Sequence, residues 1–311
     1  MQLNGKVAVV TGGSRGIGKA TATEFVKRGV KVVIGDVLDT EGEATVRELN
    51  ESSAGERVAV YKHANVAVYQ DNIDLFQAAE DAFGAVDIAI LNAGVGKDCN
   101  VIFGPLDDKR DDHLFQVDVF GGPLSRNTSL DVQIFDTHGF PSRTKVAVLH
   151  MAKHGKGGCI VATASTCSFQ TPPAMGTYNA AKHAVAGWVR TLDWMPQVCG
   201  VRVNAVCPAW VDTDLLTDFG KRGVEPYWEV ADALPRAKME TVVEGFLRLI
   251  QDDSKSGSTL LVLPKGLEEC PRPPVFESSV NDATNRALDK YQYTMVDRYK
   301  QELKEALERY K

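Results

Sequence analysis

The chain has 311 residues, 44% of them apolar, which is enough to bury one large core and somewhat more than a single domain usually needs. Its 35 basic and 41 acidic residues give a formal charge of -6, and no Lys/Arg run is dense enough to follow a phosphate backbone, which argues against a nucleic-acid partner. No window approaches the roughly 18 uninterrupted apolar residues of a membrane span, and the amino terminus carries no secretion signal, so no membrane association and a cytoplasmic location are expected.

Short apolar, β-branched runs recur at Lys6–Val10, Val30–Gly35, Arg57–Tyr61, Val86–Leu91, Gly158–Ala162, Val201–Val206 and Thr259–Leu263, mostly separated by stretches long enough for a helix. Their hydrophobicity is continuous rather than alternating, which predicts strands buried on both faces of a parallel sheet between two helix layers. The expected fold class is therefore α/β, a doubly wound sheet of about seven strands forming one domain over residues 1–266. Three stretches depart from this alternation. Residues 123–142, polar and proline-flanked, predict a loop or insertion. Residues 212–236 are charged but hold Leu215, Leu216, Phe219, Tyr227 and Trp228, the pattern of a lid over an apolar ligand. Residues 267–311 form a C-terminal extension whose charged end, free of Gly and Pro, predicts a solvated helix.

After the first strand comes Thr11-Gly12-Gly13-Ser14-Arg15-Gly16-Ile17-Gly18, followed by a helix-forming run. Glycines at a strand-to-helix turn let backbone N–H groups approach a pyrophosphate, although such a turn alone is only a tight loop. Here it follows strand one, and strand two ends in Gly35-Asp36. An Asp at that place accepts hydrogen bonds from ribose hydroxyls and repels a 2′-phosphate, which favours NAD over NADP. Arg15 leaves the other choice open, as a 2′-phosphate partner or an exposed turn residue.

Ser165 precedes Tyr178 by thirteen residues, and Lys182 follows it by four. On a helix over 177–194, Tyr178 and Lys182 share a face. An unperturbed tyrosine gives up its proton only near pH 10, so a neighbouring cation is needed before it can act as a base near neutrality. Lys182 supplies that cation, and the Ser165 hydroxyl can hold a substrate oxygen. The six scattered cysteines include no Cys-x-x-Cys pair, and the histidines lack ligand spacing, so free thiols in a reducing compartment and no metal site are expected.

On these motifs the sequence resembles the short-chain dehydrogenase/reductase family over roughly residues 3–266, which implies a Rossmann-type sheet and a nicotinamide cofactor. The resemblance implies cofactor contacts at Gly12, Ser14, Arg15, Gly16, Ile17 and Gly18, at Asp36, at Asn65 and Val66, at Asn92-Ala93-Gly94, and at Tyr178 and Lys182. It also implies them at Pro208, Val211 and Thr213, the last two holding the nicotinamide carboxamide. It further implies catalysis by Ser165, Tyr178 and Lys182, and an assembly of two or four copies. Gly200-Val-Arg-Val-Asn-Ala-Val-Cys-Pro and the segment 243–257 are similar to the 15-hydroxyprostaglandin dehydrogenase-like group, which implies oxidation of an apolar secondary alcohol or reduction of its ketone.

The pattern is broken at Asp118, which stands where the family carries an Asn that relays protons through the lysine. A carboxylate accepts but does not donate, and it biases Lys182 towards the charged form. The same residue also fits a purely structural place at a helix kink. The interruption at 123–142 lies just downstream. These departures support a rival expectation, a catalytically impaired NAD-binding scaffold or redox sensor.

Overall fold

The structure, a computed structural model, describes residues 1–96, 116–120, 140–173, 175–216 and 227–310. The strands are β1 (Val7–Thr11), β2 (Lys31–Asp36), β3 (Ala59–His63), β4 (Ile88–Leu91), β5 (Gly158–Thr163), β6 (Val201–Pro208), β7 (Thr259–Leu263) and β8 (Gly266–Cys270). They form one sheet in the order β3-β2-β1-β4-β5-β6-β7-β8, parallel except for β8. Seven of them coincide with the apolar runs in the sequence. The eighth was not expected, because Glu268 and Glu269 lack the apolar signal of a buried strand. It is an edge strand, reached by a tight turn through Pro264 and Lys265, and charge suits an exposed edge.

Successive strand residues point to opposite faces, and both faces are covered. Ala8, Val10, Ile34, Ile88 and Ile90 pack with Phe25 and Phe246, from helices α1 (Gly16–Lys27) and α8 (Met239–Gln251). Val7, Val9, Val33, Ala89 and Ile160 pack on the other side. There they meet Leu75 and Phe76 of α3 (Tyr69–Phe83), Val146 and Met151 of α4 (Phe140–Lys153), and Val185 and Val189 of α5 (Gly176–Arg190). Each such Leu, Ile or Phe contributes about 1.5–3 kcal/mol by leaving water, which explains why the strands read as unbroken apolar runs.

The other helices are α2 (Asp39–Ser52), α6 (Met195–Cys199), α7 (Tyr227–Ala233) and α9 (Asp282–Arg309); a π-helical turn occupies Gln116–Phe120. Residues 123–139 of the expected insertion lie outside the described residues, and α4 already begins at Phe140. The predicted terminal helix is α9, and it is docked as well as solvated. Tyr299 stacks on Trp194 with ring centroids 4.4 Å apart, and the Tyr310 hydroxyl lies 2.9 Å from Nε2 of the fully buried His150.

His150 Nδ1 faces Glu80 at 2.7 Å, with Lys153 and His154 also around that carboxylate. Burial holds the imidazole below its ordinary pKa, against the pull of Glu80. A depressed histidine stabilises the fold above its unfolded pKa of about 6.5, and that contribution is lost as the pH falls through this value, because the unfolded chain then binds the extra proton. The melting temperature is therefore expected to fall between pH 7 and 5. His150→Gln is expected to flatten that slope in a pH series of thermal melts.

Candidate active site

The strand order reverses between β1 and β4, where crossovers leave in opposite directions and open a crevice at the carboxyl ends of the strands. A cleft of about 530 Å³ lies there. It is lined by Gly12, Arg15, Gly16, Ile17, Asp36, Asn65, Val66, Asn92, Ala93, Gly94, Ser165, Tyr178, Lys182, Pro208, Val211 and Thr213. These residues are spread over 202 positions of sequence, from 12 to 213, and converge because the strand ends of the one sheet, with the helices α1 and α5 packed on it, bring them together. Ser14, Gly18 and Asp118 stand behind the lining. Ser14 donates its backbone N–H to Asp36 Oδ2 at 3.0 Å, and a Cβ on Gly18 would come within 2.1 Å of the Gly12 carbonyl oxygen.

At one end of the cleft the turn around Gly12 and Gly16 runs at positive φ, +65° and +57°, into the amino end of α1. A Cβ at Gly12 would meet Ala93 Cα at 2.8 Å, so only glycine lets β1 and the segment after β4 approach so closely. The first turn of α1 has no acidic residue, which leaves its positive dipole end to an anion. Asp36 Oδ1 accepts the N–H groups of Val37 and Leu38, which presents the carboxylate at the cleft wall. Asn92 joins three strand ends: its Nδ2 donates to the Thr11 and Gly12 carbonyls, and its Oδ1 accepts from Thr163 Oγ1. Asn65 is held locally, accepting from the Ala67 N–H at 3.0 Å. A glycine cradle, a helix start free of acid and the Asp36 carboxylate beyond them fit a dinucleotide.

At the other end, Ser165 follows β5 while Tyr178 and Lys182 lie one turn apart on α5, whose helical span ends at Arg190 and not at 194. Lys182 Nζ is 5.4 Å from the Tyr178 ring centre. Ser165 Oγ accepts the Cys167 N–H at 3.1 Å and has only a long donor contact, 3.5 Å, to the Pro208 carbonyl, so its proton can turn to the cleft.

Asp118 lies behind Lys182, its Oδ2 3.0 Å from Nζ, with neither side chain appreciably exposed. Burial pulls the Lys182 ammonium down, but Asp118 and Tyr178 together hold it above its ordinary pKa. The Tyr178 hydroxyl differs from expectation. Loss of solvation pushes it up to about 12, and Lys182 only partly offsets this, because Cys167 and the Asp118 carboxylate also favour the protonated phenol. The cation that should activate the tyrosine is partly neutralised by its own ion pair.

The sequence profile of the family described as enoyl-(acyl carrier protein) reductase matches residues 12–262. The chain belongs to the short-chain dehydrogenase/reductase family. Like other members of this family, it is an oxidoreductase acting on CH–OH groups with a nicotinamide cofactor. It is 34% identical over 228 residues to short chain aldehyde dehydrogenase 1 of Euphorbia lathyris, covering 72% of this chain and 70% of that one. It is 28% identical over 275 residues to the NAD(+) 15-hydroxyprostaglandin dehydrogenase of Mus musculus, covering 84% and 91%. Among solved structures, 3-ketoacyl-(acyl-carrier-protein) reductase from Brucella melitensis, complexed with NADH, superposes with a TM-score of 0.68 at 25% identity, covering 84% of this chain and 97% of that one.

Several parts of this short-chain dehydrogenase/reductase site carried no sequence signal. Val95, Gly96, Val117, Cys167 and Met175 line the cleft beside Tyr178, and Trp210 joins them, packed against Val119, Met175 and Ala181. Apart from Trp210, which the sequence places inside the Pro208–Thr213 segment as either a packing or a contact residue, they are apolar or small residues outside any motif. Leu215 and Leu216 of the expected lid also line the cleft, residues 217–226 lie outside the described residues, and Arg236 ties α7 to Asp212 at 3.0 Å. The five described cysteines are free, and Cys99 lies outside the described residues. Among the described residues no helix is long and apolar enough to cross a membrane, and no group of three or more acidic, His or Cys side chains could hold a metal ion.

Proposed function

We propose that the chain interconverts an apolar secondary alcohol and its ketone with NAD, Tyr178 exchanging the hydroxyl proton. The observation that carries this reading is the meeting of Ser165, Tyr178 and Lys182 at one end of a cleft that has the Asp36 carboxylate at the other. The nicotinamide supplies the hydride acceptor or donor. The Ser165 hydroxyl orients the substrate oxygen, and Tyr178 takes or returns its proton. Lys182 steadies the phenolate and holds the nicotinamide ribose, and Asp118 receives protons passing from Lys182. Val211 and Thr213 hold the carboxamide end. Val95, Met175, Trp210, Leu215 and Leu216 give the substrate end an apolar wall, which suits a lipid-like, terpenoid, steroid or polyketide alcohol.

NADH absorbance followed with a panel of such alcohols tests the reading, and the absence of turnover on all of them, and on the matching ketones with NADH, would refute it. Asp36→Ala is expected to raise the KM for NAD by about ten- to a hundredfold, the loss of charged hydrogen bonds to the ribose, while narrowing the preference over NADP. The rival, a cofactor-binding scaffold or redox sensor, draws on one observation, the Tyr178 hydroxyl pushed up to about 12. It requires NAD binding by calorimetry with no turnover.

A further inference from the structure

Asp118 is held from two sides. Its Oδ1 accepts the Val95 N–H at 2.8 Å, and its Oδ2 faces Lys182. On α4, Arg143 is only 1% exposed and is the largest fully buried side chain among the described residues. Its guanidinium donates to the Val117 carbonyl at 3.1 Å and to the Ala93 carbonyl at 3.4 Å. Arg143 thus grips the residue before Asp118 and the same cleft wall that Asp118 grips through Val95. A guanidinium withdrawn from water is costly without a compensating anion. Burial draws Arg143 down to about 10, and Asp118 is the carboxylate that opposes the loss.

The charges matter for Tyr178. Lys182 and Asp118 taken as a pair sum to zero, which leaves the phenol without a net cation. Adding Arg143 restores one positive charge to the cluster. Among the described residues, the ionisable groups that act on one another here are Tyr178 and Lys182 of α5, Cys167 after β5, Cys207 of β6, Asp118 of the π-helical turn and Arg143 of α4.

We propose that Arg143 is a positioning residue for the proton path, replacing the positive charge that Asp118 withdraws from Lys182 and locking the carboxylate against the Ala93–Val95 wall. The pair acts as a unit: an acid at 118 is workable in this site because a base is buried at 143. This rests on the reading of Tyr178 as the proton-transfer group.

The test is the pH dependence of kcat for alcohol oxidation at saturating NAD, whose rising limb follows the loss of the Tyr178 proton. Arg143→Met is expected to displace that limb upward by about one pH unit, an approximately tenfold slower rate at a fixed pH on the limb. Asp118→Asn displaces it downward, the combined Arg143→Met and Asp118→Asn variant returns it near wild type, and Arg143→Lys leaves it in place while lowering the melting temperature. An Arg143→Met limb that coincides with wild type, with kcat merely scaled at every pH, overturns the proposal. If Arg143→Met does not fold, the combined variant decides, since a limb matching that of Asp118→Asn also overturns it. Failure of the underlying reading is distinguishable, because it shows as undiminished turnover in Tyr178→Phe.

Discussion

Tyr178→Phe is expected to lower kcat by roughly a hundred- to ten-thousand-fold while changing the Kd for NAD only a few-fold. The range is that of losing a positioned acid/base group. The split between kcat and Kd follows from the geometry: the glycine turn, Asp36 and Asn92 are set by β1, β2 and β4, whereas Tyr178 belongs to α5 at the far end of the cleft. Steady-state kinetics with calorimetric titration of NAD checks both halves. Because the hydroxyl stands at about 12 in the protein by itself, the wild-type rate should still be rising with pH above neutrality. A cationic nicotinamide held in the same cleft would add positive charge to the site and would bring that limb down. A kcat that is flat from pH 6 to 10, or that falls, contradicts a phenolate base.

The second large effect is expected at Lys182. Replacing it with Met removes the partner 3.0 Å from a carboxylate that is wholly out of solvent, leaving Asp118 charged in the interior. Breaking such a buried pair costs about 3–5 kcal/mol, and the lower end is expected here because Arg143 still opposes the charge. Denaturant unfolding of Lys182→Met, and of Lys182→Met combined with Asp118→Asn, measures it. The second change should restore most of the lost stability and none of the activity. A single variant as stable as wild type would contradict a stabilising role for the buried Lys182–Asp118 ion pair.

The fold was legible because its signal is local and repeated. Val7–Val10 and Ile88–Leu91 are apolar on both faces, a pattern that suits a covered parallel sheet, and Val201–Pro208 is buried along its whole length although it carries Arg202 and Asn204. The edge strand Gly266–Cys270 escaped notice because an exposed edge needs no such run. The site divides in the same way. Gly12, Gly16, Asp36, Ser165, Tyr178 and Lys182 can be read as spacings within short segments, since backbone sterics and the helical repeat restrict which residues stand there.

What the chain order could not convey was the state of charge around those residues. Asp118 was recognisable as a departure, but not that Nζ of Lys182 would stand 3.0 Å away, nor that Arg143, 25 positions further on, would be buried beside the same wall. Nor does any motif mark the apolar wall at Val95 and Met175, or the seat of Tyr310 on His150. The primary structure carries the backbone path and the list of reactive groups, because these depend on neighbours a few residues apart. Protonation, the balance of buried charges and the shape of the substrate end depend on distance and exclusion of water, and both exist only after the segments have packed.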